Sequence, residues 1–160
     1  MTKQFKKFLL IQVAVQVIMF STQFLHAQVG GNLAAGPPVE LDLNISTTSD
    51  APIISVSQFE LITGEYYRLN VTSDGDESWR FEANELLQNS HLRIVTINGI
   101  EVHLQSLAFR AIEFDVAGTA QFSFAPIRPG AYIFTVGDTP STRRRRADGG
   151  RTVTGKFVVK

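Results

Sequence analysis

The chain has 160 residues and no cysteine at all. No disulfide can brace it, no thiolate can serve as nucleophile or metal ligand, and lipid attachment through a cysteine is excluded. Methionine is confined to Met1 and Met19, and histidine to His26, His91 and His103. An excess of either charge is missing too: 15 basic groups face 15 acidic ones. A nucleic-acid binder needs a cationic surface to displace phosphate counterions, so that class of partner is not expected. No Gly-x-Ser-x-Gly motif and no paired-carboxylate signature is present, and with so few neutral-pH bases an enzyme is not predicted.

The first segment reads as targeting information. Lys3, Lys6 and Lys7 form a cationic start, an apolar stretch follows over residues 8–20, and Leu25, His26 and Ala27 close a more polar exit. This is the layout of a signal peptide, with cleavage expected after Ala27 and a periplasmic or secreted location. The apolar stretch is shorter than the roughly 20 residues needed to span a bilayer. No integral membrane segment is therefore expected in the mature chain. Removal of residues 1–27 takes three cations and no acids, which leaves a formal charge of −3. It also removes both methionines and His26, so His91 and His103 become the only soft or borderline metal ligands.

Residues 28–37 are rich in glycine and small side chains and read as a flexible lead. The domain is expected over residues 38–160. Val39, Leu41, Leu43 and Ile45 alternate with polar residues, the period-two pattern of a half-buried strand. The same pattern predicts strands over 54–56, 67–72, 79–81, 93–97, 100–104, 111–114, 120–125, 131–136 and 154–159. Asn98 and Gly99 sit between two of these runs, and both can adopt positive φ, so they predict a type I′ hairpin. Residues 84–90 alone look helical. The fold class is all-β, a Greek-key β-sandwich. One stretch departs from the rest in composition: residues 137–151 form a loop of Gly, Pro, Ser and Thr with five arginines.

Several phrases have a familiar form. Residues 59–69 read Phe-Glu-Leu-Ile-Thr-Gly-Glu-Tyr-Tyr-Arg-Leu, residues 76–83 read Asp-Glu-Ser-Trp-Arg-Phe-Glu-Ala, and Pro126, Pro129, Gly130, Tyr132 and Phe134 make a Pro-x-x-Pro-Gly-x-Tyr-x-Phe turn ahead of a Gly-x-apolar strand at Gly155. Together they resemble the cupredoxin-like (plastocyanin-like) domains of exported bacterial proteins, over about residues 40–160. The resemblance implies a β-sandwich that in copper-binding members carries a Cys, two His and usually a Met. It aligns Trp79 with the first ligand His and Val136 with the Cys, and residues 137–151 hold neither His nor Met. Blue-copper electron transfer needs a thiolate and two imidazoles. The resemblance therefore implies the fold without the type 1 copper ligands, and no cofactor is expected at that position.

Two other places could carry chemistry. Glu101 and His103 lie two apart on a predicted strand and so share a face, and His91 lies on the preceding strand; such a set suits Cu(II) or Zn(II) at a non-blue site, for buffering or delivery of copper. The plainer reading is two half-exposed histidines in hydrogen bonds. Arg143, Arg144, Arg145 and Arg146 concentrate four guanidinium groups that pair bidentately with carboxylate or phosphate oxygens. Such a cluster suits docking of an acidic envelope or periplasmic protein partner, an anionic lipid surface or a phosphate-bearing ligand; the plainer reading is a disordered, self-repelling loop. Asp74, Asp76 and Glu77 read as a solvated acidic turn, because no bidentate Glu stands at calcium-loop spacing. The overall expectation is a binding or accessory module without a blue-copper site.

Overall fold

The computed structural model describes residues 33–48, 51–103, 110–147 and 150–160. The expected signal peptide at 1–27 and the first part of the expected lead lie outside the described residues. Eleven strands and two short helices are described: β1 Val39–Thr47, β2 Pro52–Ile54, β3 Gln58–Leu61, β4 Tyr67–Ser73, β5 Trp79–Glu82, α1 Asn84–Gln88, β6 Ser90–Ile97, β7 Ile100–Val102, β8 Ile112–Phe114, β9 Gly118–Pro126, β10 Gly130–Asp138, α2 Pro140–Arg145 and β11 Thr152–Val159. They form two sheets, with orders β2-β1-β4-β9-β6-β7 and β3-β11-β10-β5-β8. The chain crosses from one sheet to the other between β2 and β3, β3 and β4, β4 and β5, β5 and β6, β7 and β8, β8 and β9, and β9 and β10. The fold is an all-β sandwich of the cupredoxin-like kind.

Alternation decides what the sandwich buries. In β4, Tyr67, Leu69, Val71 and Ser73 face inward, and in β10, Tyr132, Phe134, Val136 and Asp138 do the same. The inner faces meet in an aromatic layer: Phe134 lies 5.1 Å from Phe157, 6.1 Å from Phe81 and 6.3 Å from Phe59 between ring centroids. Gly155 is required beneath it, since a Cβ there would stand 2.2 Å from the Phe134 ring. Asn98 and Gly99 have φ of 49° and 80° and join β6 to β7 with Ile97 opposite Ile100, as the Asn-Gly pair predicts.

Four expectations change. The strand expected at 54–56 is Pro52–Ile54, because the Ser55 hydroxyl accepts from the Asn44 N–H at 2.9 Å and Ser55 leaves the ladder. Gln58–Leu61 is a strand the sequence reading left unassigned, paired parallel with β11 at the far end of the chain. The helix expected over 84–90 stops at Gln88, and the Ser90 hydroxyl donates to the Leu86 carbonyl at 2.7 Å as β6 begins. The arginine segment is no plain loop: β10 runs through Asp138, and Pro140–Arg145 forms a helical turn and a half.

Candidate functional site

One end of the sandwich gathers the end of β1, the start of β5, the end of β10 and the start of β11. Asp138 continues the inward alternation of Phe134 and Val136, so its carboxylate is carried into the protein and lies 2% exposed. A buried carboxylate needs donors. Arg151 supplies them. Its backbone N–H donates to Asp138 Oδ2 at 2.7 Å, and its Nη2 and Nε donate to Oδ1 at 2.8 Å and 3.2 Å. The Asp138 N–H donates back to the Arg151 carbonyl at 3.0 Å, which closes the arginine segment at its base.

Arg151 has further partners. Its Nη2 also donates to Glu77 Oε2, and its guanidinium carbon stands 4.7 Å above the Trp79 ring. Trp79 is fully buried, pairs with Asp138 across β5 and β10, and donates from Nε1 to Thr47 Oγ1 at 3.1 Å. Ion pair, cation–π contact and indole hydrogen bond thus tie five segments at one pole. Burial pushes the Asp138 carboxyl up, but the hydrogen bonds and charge of Arg151, with Arg146 adding to them, outweigh it and hold it below the ordinary carboxylate value. Glu77 and Asp138 raise the Arg151 guanidinium further above its usual range. Of the acidic turn, Asp76 N–H donates to Asp74 Oδ1 at 3.1 Å, while Glu77 is drawn into this cluster.

A second feature lies on the outer face of β5, β10 and β11. A groove of about 410 Å³ runs between α2 and Arg110, floored by Thr135 and Gly137, with Arg143 and Arg144 on the helix side. The helix begins on Thr139, whose Oγ1 accepts from the Thr142 N–H at 3.4 Å, and Pro140 follows at the first helical position. Arg143, Arg144 and Arg145 fall in its last turn, where cations oppose the negative end of the helix dipole. Within the groove, Arg80 is spent on Glu82 at 2.5 Å and Glu113 at 2.6 Å. These carboxylates, Glu82 first, raise the Arg80 guanidinium above its usual value. Arg143 donates to Thr152 Oγ1 at 3.5 Å. Arg110 and Arg144 are exposed and make no ion pair among the described residues.

The structure spreads the predicted residues unevenly. Arg143, Arg144, Arg145 and Arg146 stay together on and beside α2, with Arg146 Nε 3.8 Å from Asp138 Oδ2. The histidine set is not gathered. Glu101 stands opposite Thr96, while His91 stands five residues earlier on β6 opposite Ala125, roughly 15 Å along the strand. His103 follows β7, and all three are exposed. Among the described residues no three of His, Cys, Asp or Glu are grouped to hold a metal ion. Trp79 and Val136, at the positions the resemblance aligns with ligands, are both fully buried core residues. Sequence reasoning missed Asp138, Arg151, Arg80 and Arg110. Opposite charges bracketing the arginine segment at Asp138 and Arg151 were the available signal for the first two.

Comparison with solved structures places the fold. The chain is similar to Fet3p, a multicopper oxidase that functions in iron import, with TM-score 0.55 and 13% identity over 80% of this chain and 29% of that one. It is similar to a laccase from Pediococcus acidilactici, with TM-score 0.53 and 9% identity over 81% and 29%. A copper nitrite reductase from Nitrosomonas europaea gives TM-score 0.53 and 11% identity over 82% and 52%. The likeness is to the cupredoxin-like fold, and the chain spans between about a third and a half of those chains. No protein-family profile and no curated protein matches the sequence. No helix among the described residues is long and apolar enough to cross a membrane.

Proposed function

We propose that the chain is an exported cupredoxin-like binding module, periplasmic or secreted, that uses the arginine face of α2 to hold an acidic protein partner and carries no blue-copper centre. The observation that carries the reading is the groove beside α2, where Arg110 and Arg144 make no ion pair among the described residues. Guanidinium groups brought together from a capped helix and from the segment before β8 favour a ligand that brings carboxylate or phosphate oxygens. Export rests on the signal-peptide layout of residues 1–27.

The residues present do not fit the metal that the fold family implies. The chain has no cysteine, the aligned positions hold Trp79 and Val136, and the carboxylate nearest them, Asp138, is saturated by Arg151. No thiolate is available for a copper bond. Partner recovery from an envelope extract tests the binding reading. A variant with Arg143, Arg144, Arg145 and Arg146 all changed to alanine is expected to lose an acidic partner that the parent chain retains at low salt and releases at high salt. Equal recovery by the two would overturn it.

A further inference from the structure

We propose that the groove between α2 and Arg110 is a binding subsite for a compact oxyanion, a phosphate or carboxylate group on a small molecule or on the partner. The proposal rests on the binding reading above and narrows it to one place and one chemistry. Its argument is the charge accounting of the lining. Arg80, Arg110, Arg143 and Arg144 contribute four cations, against Glu82 and Asp138. Both carboxylates are already engaged, Glu82 by Arg80 and Asp138 by Arg151 from beneath the sheet. Arg80 is engaged in return by Glu82 and Glu113, so among the described residues the unanswered charge is that of Arg110, Arg143 and Arg144.

These three approach from different elements. Arg143 and Arg144 come from α2, and Arg110 comes from the segment just before β8. Like charges brought to the walls of one concavity repel, and a bound anion relieves that repulsion. The floor suits a close approach: Gly137 offers no side chain, and Thr135 and Thr152 bring hydroxyls that donate to an oxyanion. A volume of about 410 Å³ is in the range of small-ligand sites and exceeds what one phosphate needs. The geometry is held from below, because Asp138 and Arg151 fix both ends of the segment that carries α2.

Calorimetric titration with pyrophosphate, and in a parallel arm with citrate, tests the subsite and separates phosphate from carboxylate chemistry. The expected result in about 0.1 M NaCl is saturable one-site binding of at least one of the two below about 1 mM. Arg110→Ala and Arg144→Ala should each weaken it about tenfold. Arg128→Ala and Lys156→Ala, at exposed cations outside the groove, should stay within about twofold. Urea unfolding of each variant confirms that the fold is intact. No saturation by either anion up to about 10 mM, or equal weakening by all four variants, would overturn the subsite. Failure here with the partner still recovered removes the subsite alone, whereas groove binding with no partner recovered removes the docking face and leaves the subsite.

Discussion

Arg151 and Arg144 are the same residue type seven positions apart, and the fold uses them in opposite ways. Arg151 has a side chain 9% exposed, two carboxylates and an indole ring around it. Arg144 is exposed beside a groove with no ion pair among the described residues. The difference follows from where β10 ends. Its inward alternation delivers Asp138 into the interior, and a buried carboxylate demands a cation from the nearest strand start, which is Arg151. Arg143, Arg144 and Arg145 meet no carboxylate at ion-pair distance among the described residues. An arginine's role here is set by the acid it meets, and the arginine-rich composition of residues 137–151 alone does not distinguish the two.

The comparison breaks most visibly if Arg151 is removed. Arg151→Ala leaves buried Asp138 without its hydrogen-bonding cation, with only the more distant Arg146 as counter-charge, and is expected to destabilise by about 3–5 kcal/mol in urea unfolding, whereas Arg144→Ala should stay within about 0.5 kcal/mol. Replacing both members, Asp138→Leu with Arg151→Met, should recover much of that loss, because desolvation of the ions is removed together with their attraction. A double variant no more stable than Arg151→Ala would show that the pole depends on the ions themselves.

Acid should sharpen the same contrast. The folded Asp138 carboxyl lies below its unfolded value, so its contribution is fully present above the ordinary carboxylate range and is lost as pH falls through the lower folded value. The urea midpoint should therefore decline below about pH 4 in the parent chain. In Asp138→Asn it should start lower at neutral pH and decline less steeply in acid, so that the two curves converge. Parallel curves would remove Asp138 from the account. A smaller effect belongs to the cap of α2. Thr139→Ala should cost about 1 kcal/mol, read as a drop in urea midpoint, and should loosen the helix that carries Arg143 and Arg144.

Much of the sandwich was legible because alternation is a local signal. Val39–Thr47 and Tyr67–Ser73 follow their apolar residues closely, and the Asn98-Gly99 hairpin follows from two residues that tolerate positive φ. Gln58–Leu61 was harder, since four residues give little period and its ladder partner lies about a hundred positions away. The helix Pro140–Arg145 was hidden by the run of like charges, although Thr139-Pro140 is a cap followed by proline at the first helical position. The candidate site was legible only in part. The arginines of α2 stood out by composition, but Arg110 joins them through the fold, and the Asp138–Arg151 pair joins two strand ends that are 13 residues apart. The proposed set of His91, Glu101 and His103 rested on face sharing between adjacent strands, and it is the register of β6 on β7 that separates His91 from Glu101.

The division between a structural and a binding arginine is tested most directly by urea unfolding of the parent chain, Arg151→Ala and Arg144→Ala, each with and without saturating pyrophosphate. A ligand that binds only the folded state raises its stability in proportion to the logarithm of occupancy. The account predicts that pyrophosphate shifts the midpoint upward in the parent and in Arg151→Ala, the latter from a much lower starting point. In Arg144→Ala the starting midpoint should be unchanged and the shift reduced. A full shift in Arg144→Ala, or an Arg151→Ala chain as stable as the parent, would contradict it.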